Sequence, residues 1–199
     1  AILKGELQPG ERLMELQLFG MNRLFGLGLS KKQLMERGVK IGADVPYCIM
    51  RGTALAEGIG DKLSPLPAMV KCPVLIAKPQ ISVSTKFVYQ NLKLDDKTVH
   101  PDIDRLIEDI RNKDLKAVSD HMGNVLESVT IPNYPVISQI KEQMMDSGAV
   151  GSMMSGSGPT VFGLFDDSRT AQLAFGKIKR SGLAKQVYLT SIYNNNYPG

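Results

Sequence analysis

The segment KIGADVPYCI places one carboxylate where acid–base chemistry is feasible. Asp44 directly follows the end of a predicted helix, and we expect Pro46 to force Val45 into an extended conformation. An aspartate held on such a rigid bend can accept a proton from a substrate hydroxyl. The alternative is an aspartate that caps a turn by hydrogen bonding to its own backbone, and these residues alone favour that alternative.

The segment KPQISVSTKFVYQ combines hydroxyl groups with aromatic rings. Three hydroxyl residues, Ser82, Ser84 and Thr85, come first. The aromatic residues Phe87 and Tyr89 follow them. Hydroxyls beside an aromatic face can hold a base or a sugar, yet such a segment is more often the exposed end of a strand.

The segment GSMMSGSGPTVFGLF carries more glycine than a turn requires. Its apolar flanks predict a β-hairpin across the four residues Ser155, Gly156, Ser157 and Gly158. A hairpin turn needs one or two glycines, whereas backbone N–H groups in a glycine-rich turn can also bind a phosphate. Taken singly, each of these three segments is a weak signal.

Helices and strands alternate around these segments. The pattern SKKQ at Ser30 predicts a capping box and a short helix that ends near Gly42. PVLIAKP and QVYLTSIY predict strands, and apolar spacing predicts four further helices, in HPDIDRLIEDIRN, from Asp114 to Glu127, in PVISQIKEQMMDSG, and around Ala171 to Ile178. The pattern predicts an α+β fold with an antiparallel sheet covered by helices on one face. The turn-rich segment GIGDKLSPLP is the predicted domain boundary.

The composition is that of an ordinary globular protein. The chain has 199 residues, of which 43% are apolar and 22% are charged, and its net charge is +4. A nucleic-acid-binding protein would carry a denser basic stripe, and the apolar runs are too short to cross a bilayer. Cys48, Cys72 and two scattered histidines do not form a metal-site pattern, and the cysteines favour reduced thiols in a cytoplasm.

In this order, and together with GTALAEG and NVLE, the three segments resemble the GHMP family of small-molecule kinases. The resemblance extends from about residue 21 to residue 193. GADVP followed by GTALAEG is typical of members that act on a cytidine diphosphate-linked methylerythritol, whereas the SGSGPTVF hairpin is shared more widely. The resemblance implies a GHMP kinase fold, with the remainder of an ATP-binding domain in residues 1–57 and a substrate domain with a four-stranded antiparallel sheet in residues 58–199.

The resemblance also implies roles for individual residues. Asp44 corresponds to the catalytic aspartate that orients or deprotonates the accepting hydroxyl, and Thr85 contacts the same part of the substrate. Tyr89 stacks on the cytosine, Ser82 lies in the same substrate-binding segment, and Ser155–Gly158 lies near the phosphate loop. The phosphoryl donor is ATP with Mg²⁺. The expected partner is this small-molecule substrate, with no nucleic acid and no membrane, and the oligomeric state is not specified.

The start of the chain departs from the family. The family's catalytic lysine and aromatic–histidine pair have no counterpart, and ELQPGERLMELQLFG retains only Gly10 and Gly20 where the family has a glycine- and serine-rich phosphate loop. We therefore expect a fragment that lacks about the first third of the family's length and is inactive alone. The other interpretation is a non-catalytic ferredoxin-like module that binds RNA or a protein partner. RNA-binding sheets usually carry two or three aromatic residues on adjacent strands, and PVLIA and AVGSMM contain none.

Overall fold

A computed structural model describes residues 15–95 and 98–193, which form two compact units. The first unit, residues 15–66, contains α1 (Glu15–Leu24), α2 (Lys31–Gly38), α3 (Val45–Met50) and the hairpin of β1 (Ala54–Glu57) and β2 (Lys62–Pro65). The second unit, residues 67–193, contains β3 (Pro73–Lys78), α4 (Thr85–Asn91), α5 (Ile103–Asn112), α6 (Leu115–His121), α7 (Glu127–Asn133), α8 (Val136–Asp146), β4 (Gly151–Met154), β5 (Val161–Leu164), α9 (Ser168–Ser181) and β6 (Gln186–Ser191). The family resemblance predicts a division between the ATP-binding and substrate domains after residue 57. That position lies in the turn between β1 and β2, and the division stays a prediction.

In the first unit, α2 begins at the capping box that the sequence predicts. The hydroxyl of Ser30 accepts from the backbone N–H of Gln33 at 3.3 Å, and the Gln33 side chain accepts from the Ser30 N–H at 2.9 Å. The helix ends at Gly38, four residues earlier than expected, and α2 and α3 pack at this point. A Cβ on Gly38 would lie 2.8 Å from Cγ1 of Val45, so the glycine permits the close approach.

The second unit is built on one antiparallel sheet with the strand order β4-β5-β3-β6. This arrangement confirms the predicted α+β fold with a four-stranded antiparallel sheet. Leu75 and Val161, on one face of the sheet, are fully buried against Ile140 of α8 and Ile178 of α9. Burial of a large aliphatic side chain contributes about 1.5–3 kcal/mol, so this layer carries much of the stability of the unit.

Two features of the helical layer differ from the sequence-based expectation. The helix predicted from Asp114 to Glu127 ends at His121 as α6, and a separate helix, α7, begins at Glu127 after residues 122–126. Leu115 and Met122 pack with Val74 and Leu164 on the opposite face of the sheet, so the prediction of helices on one face only is wrong. The break at residues 122–126 lets α6 cover that second face while α7 joins the main core.

A buried carboxylate joins α5 to α6. The side chain of Asp109 is 4% exposed and lies 2.6 Å from Nδ1 of His121 and 3.5 Å from Nε of Arg105. Burial of an aspartate is costly unless it is hydrogen-bonded and paired with a charge. Here His121 provides the hydrogen bond and Arg105 forms an ion pair. Among the residues described, no helix has the length and apolar character needed to span a membrane.

Candidate functional site

Asp44 occupies the N-cap position of α3, in the first unit. Val45 is the first residue of that helix and is buried, so the prediction of an extended Val45 before Pro46 is wrong. Proline is tolerated in the first helical turn because its missing N–H has no helical partner there. The carboxylate is exposed and accepts no capping hydrogen bond from the backbone of α3.

In the second unit, Thr85 meets the glycine-rich turn. Its Oγ1 atom lies 2.9 Å from Oγ of Ser157, a hydrogen bond between residues that are 72 positions apart. Thr85 begins α4, and the Ser84 hydroxyl caps this helix by accepting from the N–H of Phe87 at 3.2 Å. The alternative of a strand end for this segment is therefore wrong. The fold therefore brings together Thr85, for which the family resemblance implies a substrate role, and the glycine-rich turn.

The aromatic rings of α4 face outward from a firmly anchored helix. Val88 is fully buried in the main core, whereas Tyr89 is 61% exposed and Phe87 is 39% exposed. Thr85 and Tyr89 are four residues apart, so they lie on the same face of α4. Ser82 is exposed in the preceding loop, where it lines an open pocket of about 250 Å³ together with Lys78 and Lys185, among others.

The glycine-rich turn uses its glycines for backbone geometry. Gly156 and Gly158 have φ values of +56° and +86°, a region that disfavours other residues. The turn is closed by hydrogen bonds from Ser155 N to the Thr160 carbonyl at 2.8 Å and from Gly158 N to the Ser155 carbonyl at 3.0 Å. Within the described part of the chain, the N–H groups of Gly156 and Ser157 donate no hydrogen bond, so they are available to a ligand.

Three polar residues that sequence reasoning passed over hold this turn. Asn124 Nδ2 donates to the carbonyls of Met154 at 2.9 Å and Gly156 at 2.8 Å. Glu127 Oε1 accepts from Met154 N at 2.7 Å, and Thr130 Oγ1 donates to the Ser157 carbonyl at 3.3 Å. Glu127 also forms an ion pair with Lys141 of α8. Asn124 and Glu127 belong to NVLE, a segment that carried the family resemblance without an assigned role.

Comparisons with known proteins identify the family. Residues 106–184, from α5 to α9, match the family model "GHMP kinases C terminal". The chain is 57% identical over 176 residues to 4-diphosphocytidyl-2-C-methyl-D-erythritol kinase of Lachnospira eligens and 53% identical over 178 residues to the protein of the same name from Lachnoclostridium phytofermentans. These alignments cover 88% and 89% of the chain and 61% of each relative. Residues 106–184 therefore form the C-terminal domain of the GHMP kinase family.

Solved structures of GHMP kinases share the fold. A crystal structure of 4-(cytidine 5'-diphospho)-2C-methyl-D-erythritol kinase superposes with a TM-score of 0.74 at 24% identity, over 89% of this chain and 62% of that one. Homoserine kinase from Cytophaga hutchinsonii gives a TM-score of 0.70 at 21% identity, over 88% of this chain and 61% of that one. At these identities the likeness shows the fold alone, and it confirms the predicted GHMP kinase fold.

Two expectations concern groups that bind phosphate or metal. Most of the stretch where the family has its phosphate loop lies before residue 15, outside the described residues. Within the described ranges, no group of three or more His, Cys, Asp or Glu side chains is placed to hold a metal ion. The catalytic and binding roles of Asp44, Ser82, Thr85, Tyr89 and Ser155–Gly158 stay predictions.

Proposed function

We propose that this GHMP kinase chain forms part of an enzyme that transfers a phosphoryl group from ATP to the 2-hydroxyl of 4-diphosphocytidyl-2-C-methyl-D-erythritol. The observation that carries the proposal is the 2.9 Å hydrogen bond between Thr85 and Ser157, which joins the helix of the predicted substrate residues Thr85 and Tyr89 to the glycine-rich turn. The names of the relatives at 57% and 53% identity support the choice of substrate. The chain spans 61% of their length, so the activity is proposed for the protein that contains all the family's elements.

Each side chain has a distinct role in this proposal. Asp44 accepts the proton of the 2-hydroxyl or orients that hydroxyl for attack, a role that suits an exposed carboxylate at a helix start. The Thr85 hydroxyl hydrogen-bonds to the methylerythritol part. The exposed ring of Tyr89 stacks on the cytosine, and Ser82 contacts the substrate from the preceding loop.

The backbone of the turn binds phosphate. The N–H groups of Gly156 and Ser157 fit a phosphate oxygen because both are neutral donors without another partner in the described chain. ATP supplies the transferred phosphoryl group when bound. Mg²⁺ is expected with it, but the described residues contain no cluster of metal ligands, so we derive no step through the metal.

Binding of cytidine diphosphate to the chain tests the substrate residues. In an NMR titration of the 199-residue chain, Tyr89→Ala should weaken binding by about 1–3 kcal/mol, the usual effect of losing a base–aromatic stack. Tyr89→Phe should bind normally because it retains the ring. Tyr188→Ala is the matched control, since Tyr188 on β6 is 57% exposed, close to the 61% of Tyr89. Equal effects at Tyr89 and Tyr188 would contradict the assignment.

Phosphoryl transfer tests Asp44. A chimaera can join this chain to the part of the Lachnospira eligens relative that the chain does not match. Its substrate-dependent release of ADP should fall by about a hundredfold or more in Asp44→Asn, because asparagine keeps the size of the side chain but cannot accept the proton. Near-normal turnover in that variant would exclude Asp44 as the base.

The sheet does not favour the alternative of an RNA-binding module. Among the described strands, Tyr188 is the only exposed aromatic residue, and Phe162 on β5 is half-buried. RNA-binding sheets stack two or three bases on exposed aromatic rings of neighbouring strands.

A further inference from the structure

We propose that Asn124 is a positioning residue that orients the glycine-rich turn, residues 155–158, for binding a phosphate group. Its Nδ2 group donates to the carbonyl oxygens of Met154 and Gly156, at 2.9 and 2.8 Å. Its Oδ1 atom accepts from the N–H of Leu126 at 3.0 Å, just before α7. One side chain therefore joins the start of α7 to two carbonyl groups of the hairpin.

The direction of a carbonyl group determines the direction of the N–H group in the same peptide unit. In a planar trans peptide the C=O and the N–H point to opposite sides of the chain. The Gly156 carbonyl points to Asn124, so the N–H of Ser157 points away from Asn124. The Ser155 carbonyl accepts from Gly158 inside the turn, so the N–H of Gly156 points out of the turn. The two available N–H groups are therefore both directed outward.

Helix α7 provides a rigid support for this arrangement. Thr130 is fully buried and donates to the Ser157 carbonyl, the third carbonyl group that is held from this side. Glu127 accepts from the N–H of Met154 and is paired with Lys141, and the two side chains are only 18% and 23% exposed. A partly buried ion pair with an additional hydrogen bond restricts the motion of its side chains more than an exposed pair does.

This inference rests on the proposed function, because it assigns the outward N–H groups to a phosphate-bearing ligand. A backbone N–H can donate a strong hydrogen bond to an anion only when it points at the anion, since a hydrogen bond weakens steeply away from linear geometry. Loss of the Asn124 donor should let the turn reorient and should weaken contacts to phosphate. Thr85 of α4 bonds to the turn, but the fully buried Val88 anchors the helix in the core, so the contact of the Tyr89 ring with the base should not change.

The test compares variants of the 199-residue chain. Asn124→Asp retains the acceptor for the Leu126 N–H but removes the amide donor, and Asn124→Ala removes the donor without adding a charge. Asn133→Ala is the matched control, because the Asn133 amide donates to the Val129 carbonyl at 2.7 Å within α7 and makes no bond to the turn.

Two measurements distinguish positioning from general stability. Amide hydrogen exchange of Gly158, whose N–H closes the turn, should become faster in both Asn124 variants and stay normal in Asn133→Ala. In NMR titrations, the Kd of cytidine diphosphate should rise about fivefold to thirtyfold in both Asn124 variants, the effect of losing up to two hydrogen bonds. The Kd of cytidine, which has no phosphate, should not change.

Unchanged exchange at Gly158 in the Asn124 variants would overturn the inference. It would also be overturned if the affinities for cytidine and cytidine diphosphate fell equally, because Asn124 would then have only a structural role. If the unmodified chain binds cytidine diphosphate no better than cytidine, the inference fails while the base contact of the proposed function stands. If the chain binds neither compound, the proposed function fails and the inference fails with it.

Discussion

The two glycines of the turn should respond differently to the same substitution. Gly156 and Gly158 both have positive φ, and an alanine in that region costs about 1–2 kcal/mol. Part of this cost is offset, since alanine reduces the entropy of the unfolded chain by about 0.4–1 kcal/mol. A Cβ on Gly156 would meet nothing within 4 Å, so Gly156→Ala should lower the free energy of unfolding by about 1 kcal/mol or less.

Gly158→Ala should cost more because its Cβ has no room. The added atom would lie 2.7 Å from Sδ of Met154, which is fully buried, and 3.4 Å from Cγ2 of Thr130. Overpacking of this kind costs about 1–3 kcal/mol, and the flexible methionine favours the lower half of that range. Overpacking adds to the backbone cost of about 1 kcal/mol or less, so the expected loss for Gly158→Ala is about 1–3 kcal/mol, above that for Gly156→Ala.

Urea unfolding followed by the methyl NMR signals of Leu75 and Ile178 measures the stability of the second unit alone. Met154→Ala supplies the internal check, since in that background the extra cost of Gly158→Ala should largely disappear. If both glycine variants are equally mild with Met154 present, Gly158 serves backbone geometry only, and the packing argument is refuted.

Two further predictions concern groups with altered pKa values. Burial raises the pKa of the Cys72 thiol, so iodoacetamide at pH 8 should alkylate Cys72 at least about tenfold more slowly than Cys48. The difference should disappear when the chain is unfolded in urea. Equal alkylation rates in the folded chain, measured by mass spectrometry, would contradict this prediction. Hydrogen bonds from the side chain and the backbone N–H of Thr170 hold the pKa of Asp167 below its usual value. The ionised Asp167, which caps α9, therefore stabilises the fold at pH values above the ordinary carboxyl pKa. This stabilisation is lost as the pH falls through the lowered pKa. Asp167→Ala should therefore lower the Tm at pH 7 more than at pH 3, and an equal decrease at both pH values would argue against the cap.

Local patterns of this sequence determined most of the helices and strands. The capping box of Ser30 and Gln33 was predictable because its partners are three residues apart. The inward positions Ile137, Ile140 and Met144 of α8 were predictable because helical periodicity places them on one face, and all three are fully buried. In both cases the deciding interactions lie within a few residues of each other along the chain.

Local reasoning failed where a remote partner decides the conformation. The sequence indicated a helix from Asp114 to Glu127, but α6 ends at His121, and Asn124 just beyond it bonds to the hairpin 30 residues further on. Intrinsic helix propensity does not include such a bond, because the bond forms only after the hairpin has folded.

The assembly of the candidate site is likewise a property of the tertiary structure. The sequence pointed to Thr85 and to the glycine-rich turn as separate segments, and the resemblance to GHMP kinases implied their roles. Only the packing of α4 and the hairpin on one core brings Thr85 and Ser157 to 2.9 Å across 72 residues of chain. Similarly, the glycine content of the turn does not predict that Gly156 faces open space while Gly158 lies against Met154. That difference depends on the Met154 side chain, which lies beside Gly158 only in the folded hairpin.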